Sequence, residues 1–195
     1  MKTSPHDNHK QHLEQLAAFL RESNQILADW HAYSEHHTDL YGWLDDDDAY
    51  ARRASLHDAD IWKAFNRIRP CAGALVATAE AQLQRLPPQA VQSRWVWQLS
   101  VLGMALDSLA HLHDDWLVTC DSLPPSARPG TKVYDDALAK RNAEAWPEID
   151  EWASSGEVLL EIHRAALQAP SELAPAPVRA PAPLATANRT ATARR

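Results

Sequence analysis

The chain has 195 residues, of which 45% are hydrophobic and only 5 are Gly, and it carries a formal net charge of -7. That is enough apolar material for one globular core, and with β-branched runs also rare a sheet is not expected. Arg179, Arg189, Arg194 and Arg195 sit near the C-terminus with Glu172 as the one acid beside them, so the rest of the chain is more acidic still; such a surface repels phosphate backbones and disfavours nucleic acid as a partner.

The first residues, MKTSPHDNHK, contain no apolar run, so no secretory leader is expected. Ser4 is placed to cap a helix, Pro5 suits its first position, and Asp7 suits the positive end of its dipole. Leu13, Leu16, Leu20, Leu27 and Trp30 then keep helical spacing to about His37, a helix of roughly 50 Å. His6, His9 and His12 read as its solvated start. The stretch DLYGWL (39–44) reads as a short connection whose Tyr41 and Trp43 plug one end of the fold, and Asp45 to Asp48 supply the acidic first turn of the next helix.

A second helical stripe runs through Tyr50, Ala54, Ile61, Phe65, Ile68, Leu75, Ala79 and Leu86. Pro70 falls inside it and predicts a kink or break near Arg69, because proline lacks the backbone donor and crowds the preceding turn. Pro87-Pro88 ends this segment. The third, centred on Trp95–Cys120, is the most apolar: Trp95, Leu99, Leu102, Leu106, Leu109, His113, Trp116 and Cys120 form one line, and Trp97, Val101 and Met104 a second. Two lines predict a helix buried on more than one side. Gln98, Ser100 and Asp107 interrupt it, which argues against a membrane span of ~20 apolar residues.

DSLPPSARPGTK (121–132) reads as a loop. The fourth segment runs from about Val133 to Gln168 on Leu138, Ala145, Ile149, Trp152, Leu159, Ile162 and Ala166. Pro147 predicts a kink, and Ser154-Ser155-Gly156 weakens the middle. From Pro170 the chain is rich in Ala and Pro without apolar periodicity. The expected organisation is a helical domain over 1–169 and a disordered tail over 170–195. The expected fold is all-α: an up-down-up-down four-helix bundle, with helices 2 and 4 kinked or split at Pro70 and Pro147.

In such a bundle His31 and Glu35, spaced by four, lie near the end of helix 1, at the level of His111, Asp114 and Asp115 on helix 3. Imidazole and carboxylate gathered at one pole are suitable ligands for one divalent metal ion. Helix ends are also polar simply because they meet water, and His113 on the apolar stripe reads as a core histidine. Other catalytic patterns are incomplete. No Glu has a His three residues later, as di-iron bundles require. Only Glu148 and Glu151 make a Glu-x-x-Glu pair, and His113-Asp114 is a two-residue match to the HD-type phosphohydrolase dyad. No phosphate loop and no G-x-S-x-G occurs.

Of the eight tryptophans, Trp62 and Trp97 fall off the main stripes and suit a partner-binding face. Cys71 and Cys120 form no disulfide framework, which fits a reducing, cytoplasmic setting. Few Lys beside many Arg, Ala and Asp suggests a GC-rich bacterial genome. The expected function is therefore non-enzymatic: binding another protein or itself, with no cofactor, no nucleic acid and no membrane. The alternative is a metal-dependent hydrolase using His111, Asp114, Asp115, His31 and Glu35 at the polar pole.

Overall fold

The computed structural model describes residues 5–39, 41 and 43–169. The Ser4 cap and the tail from Pro170 lie outside these residues. Six α-helices follow one another: α1 (Pro5–His36), α2 (Asp47–Phe65), α3 (Arg69–Leu83), α4 (Ser93–Ser122), α5 (Lys132–Ser155) and α6 (Glu157–Gln168). A single 3-10 turn, Pro88–Ala90, leads into α4. Among the described residues the only extended pairing is one isolated antiparallel bridge between Thr38 and Leu44, so the chain is all-α as its composition predicts. No helix among them is long and apolar enough to cross a membrane.

The second and fourth predicted segments are each two helices. The first joint falls at residues 66–68, next to Pro70, which occupies the opening turn of α3. There the chain tightens: the Arg67 N–H donates to Ala64 O at 3.3 Å and the Ile68 N–H to Phe65 O at 2.9 Å, each three residues back. The second joint is not at Pro147. Pro147 lies within α5, on its exposed side, where the carbonyl left without a donor can be hydrated. The break comes instead at Gly156, where a Cβ would stand 2.5 Å from the Trp152 carbonyl oxygen and 3.1 Å from Leu20 Cδ2. Only a residue without a side chain fits that approach.

The connection between α1 and α2 departs from expectation. Asp39 Oδ1 accepts hydrogen bonds from the Tyr41 N–H at 2.8 Å and the Trp43 N–H at 2.9 Å, and the Asp39 N–H donates to Trp43 O at 2.9 Å. This tight turn points Tyr41 and Trp43 into solvent, 87% and 74% exposed, rather than into the end of the fold. Asp46 then caps α2, its Oδ1 accepting from the Ala49 N–H at 2.8 Å.

Leu13, Leu16, Phe19 and Leu20 of α1, Ile61 and Phe65 of α2, Leu75 of α3, Leu102 and Leu109 of α4, Ile149 and Trp152 of α5, and Ile162 of α6 make one continuous core. α2 packs on α5 and α3 on α6, while α1 touches all four and α4 packs on α3, α5 and α6. Edge-to-face rings link three elements at the level of the joints: Phe19 to Phe65 at 5.8 Å and Phe65 to Trp152 at 5.7 Å. The main apolar line of α4 is buried at Trp95, Leu99, Leu102 and Leu109, with Leu106 partly buried. Its second line is not, for Trp97 and Met104 face outward, 63% and 60% exposed. The helices packed on α4 cover one side of it only.

α4 is tied to α6 at its start. Glu161 accepts from Arg94 Nη2 at 2.8 and 2.6 Å and from the buried Trp95 indole N–H at 2.8 Å. Partial burial pushes the Glu161 carboxyl up, but those donors, with the charges of Arg94 and Arg164, outweigh it and hold the group below the ordinary glutamate range. A depressed carboxylate contributes stability above its unfolded pKa, near ~4.3, and loses it as the pH falls through the lower folded value. Glu161→Gln is therefore expected to be less stable than the parent by about 1–3 kcal/mol at neutral pH, the worth of hydrogen bonds to a charged group. That gap should close on acidification below pH ~4. Urea unfolding of both proteins across that range checks it, and a gap that does not change with pH would contradict it.

Candidate functional site

The residues of the polar pole lie on two different helices, all at exposed positions. His31 and Glu35 project from the exposed side of α1, and His111, Asp114 and Asp115 from the exposed side of α4. Among the described residues no three His, Cys, Asp or Glu side chains are grouped so as to hold a metal ion. His113 is half-buried, with Nδ1 sealed from solvent and unpartnered.

His57, on the core face of α2, has the look of a catalytic base but is closed in. Its Nδ1 donates to Asp58 Oδ1 at 3.1 Å, given an ionised carboxylate that can only accept. Its ring packs against Trp30 at 5.1 Å and Trp146 at 4.6 Å, and Nε2 is buried without a partner. A buried ring enclosed by aromatic neighbours, its second nitrogen sealed from solvent, reads as a packing histidine. Trp30 extends the cluster to Tyr33 and Tyr50, and Tyr50 shares a 2.9 Å hydrogen bond with Ser34.

The two off-stripe tryptophans have different fates. Trp97 is exposed, with Val96 beside it. Trp62 is buried, so it cannot present a face to a partner; it forms the floor under Arg141 of α5 instead. The guanidinium carbon lies 3.8 Å from the centre of the Trp62 ring and 5.4 Å from that of Trp116 on α4. Tyr134 meets Trp116 edge-on at 5.6 Å. Arg141 is only 9% exposed, and no carboxylate pairs with it.

Burial pushes the Arg141 pKa down to about 10, with Arg69 acting in the same sense and Tyr134 and Cys120 opposing, so the group stays cationic at neutral pH. Desolvating a charge costs several kcal/mol, and contact with two indole faces returns roughly 2 kcal/mol or more. The balance leaves a buried cation short of compensation. Its Nε is sealed from solvent with no acceptor. Sequence reasoning passed over this residue, although a signal was present: Arg141 stands three residues after Leu138 and four before Ala145, on the apolar stripe of α5.

A shallow apolar groove of about 630 Å³ also lies between α2 and α5, lined by Ala51, Ser55 and Ala59 from one and Leu138, Ala139 and Asn142 from the other. Compared with known proteins, the chain matches no family model, no curated protein and no solved structure.

Proposed function

We propose that this protein acts by self-association, through the outer face of α4, on a scaffold whose four segments α1, α2–α3, α4 and α5–α6 run up-down-up-down. The observation that carries this reading is a line of outward residues at seven-residue spacing: Trp97, Met104, His111 and Val118. Trp97 is 63%, Met104 60% and Val118 68% exposed, and a heptad line is the seam along which two helices pair. It spans 21 residues, roughly 30 Å of helix.

Charge selects the partner and its direction. The acids of α4 (Asp107, Asp114, Asp115 and Asp121) all lie from its midpoint onward, and its one arginine, Arg94, lies at the start. Parallel pairing of two copies would face acid with acid. Antiparallel pairing sets Trp97 against Val118, Met104 against His111 and Arg94 near Asp121, and it also opposes the helix dipoles. The arrangement is self-complementary, as a twofold dimer requires. A seam of one helix pair lies at the small end of interface sizes, so the dimer is expected to dissociate on dilution.

Sedimentation velocity over a hundredfold range of concentration tests the reading. The expected result is a mass that doubles with rising concentration for the parent and stays monomeric for the Trp97→Glu, Met104→Glu double variant. A parent that is monomeric throughout, or a dimer that the double variant leaves intact, would refute it.

A further inference from the structure

Arg141 lines a cavity of about 100 Å³ between α4 and α5, together with Trp116, Thr119, Asp115, Lys140 and Glu144. Three observations converge on it. Arg141 is 9% exposed as a residue. It makes no hydrogen bond or ion pair, yet of its three nitrogens only Nε is completely sealed, so the terminal pair keeps contact with the open space. It is held flat against Trp62, with Trp116 beside it, which fixes the direction of its donor fork. Buried arginines ordinarily pair with a carboxylate or phosphate, and here Asp115 and Glu144 share the lining without an ion pair to Arg141.

We infer that this cavity is a binding site for a small monocarboxylate, held by the Arg141 guanidinium, which Trp62 backs, beside the wall set by Trp116. The planar fork matches a carboxylate with two parallel N–H donors, and the Thr119 hydroxyl on the same wall is available as a further donor. The volume suits an acid of a few heavy atoms. The neighbouring charges select a monoanion over a dianion: Asp115 and Glu144 share the lining, and neither neutralises the guanidinium, since Glu144 pairs with Lys140 at 3.7 Å. With Lys140 paired to Glu144, a phosphate dianion would bring two negative charges to a guanidinium that already has Asp115 in the lining, whereas a monocarboxylate brings one and is repelled less. The site is independent of the outer face of α4, because Trp116 lies on the inner apolar line while Trp97 and Met104 look outward.

The probe is acetate, titrated at constant ionic strength against chloride and read by tryptophan emission and by the thermal midpoint. Trp116 lines the site and Trp62 stacks on the guanidinium, so emission should change saturably, with a dissociation constant in the millimolar range fitting so small a ligand. The midpoint should rise with acetate over the same range. Arg141→Met should abolish both responses. That variant keeps the bulk on Trp62 and removes a buried charge, so it is expected to fold, which circular dichroism verifies. Arg141→Lys should bind more weakly than the parent, having lost the fork. Identical responses of parent and Arg141→Met, or no difference between acetate and chloride, would overturn the inference. Tighter binding of phosphate than of acetate would overturn the monocarboxylate assignment.

Discussion

Trp152→Ala is expected to lose about 3–5 kcal/mol, the range for deleting a large buried aromatic and leaving a cavity. Trp152 has no solvent exposure, and its ring receives Phe65 of α2 at 5.7 Å, while Phe65 in turn meets Phe19 of α1 at 5.8 Å. The indole therefore fills the space where α1, α2 and α5 come together beside both joints. With a domain's whole stability usually ~5–15 kcal/mol, the loss is a large fraction of the total. The indole Nε1 is buried without an acceptor, so Trp152→Phe discards an unpaired donor, retains an aromatic ring at that position, and should lose much less. Denaturant unfolding of the three proteins, followed by helical circular dichroism, checks the ordering. A loss below about 1 kcal/mol for the alanine variant would mean that the site collapses freely around the missing ring.

Gly156→Ala is the second substitution with a large expected effect, and it runs against ordinary propensity. In a helix interior alanine is better than glycine by ~1 kcal/mol. The Gly156 backbone, at φ -62° and ψ -23°, would accept any residue. The obstacle is space: the added methyl meets the Trp152 carbonyl oxygen at 2.5 Å, a backbone atom that cannot swing aside, and Leu20 of α1 at 3.1 Å. Overpacking of this kind costs about 1–3 kcal/mol, which outweighs the propensity gain. The expected result is a lower thermal midpoint with helix content retained. A higher midpoint would show that the α5–α6 joint can straighten without penalty.

Much of this architecture was legible from local chemistry. Asp46 and its acidic neighbours marked the start of α2, and Pro70 marked the first joint because a proline near a helix start favours beginning a new helix there. Pro147 was misleading for a physical reason. A proline's effect depends on whether the freed carbonyl meets water or core, and periodicity alone did not reveal that this one faces out. Gly156 was visible as a weak point, but its necessity comes from the close approach of the Trp152 carbonyl oxygen, with Leu20, 136 positions away in the sequence, closing the other side.

The second apolar line of α4 reads as buried because Trp97, Val101 and Met104 are apolar; whether a neighbour covers them is a property of the assembled fold. The polar pole rested on a shared height along the helix axis, which does not by itself make side chains face each other. Arg141 stood on a core stripe in plain view. Its meaning required knowing that Trp62 and Trp116 come to it from two other helices.

The two joints bear on cooperativity. They divide the packing into one tier where α2 lies on α5 and another where α3 lies on α6. Either tier taken alone could open at its own free energy, as local units of structure do. But α1, with 32 residues, and α4, with 30, run past both joints unbroken and pack against both tiers. Releasing one tier strips part of the apolar face from two long helices whose remaining halves still hold the other. The continuous helices thus act as splints across the jointed ones, coupling the tiers into a single unfolding transition.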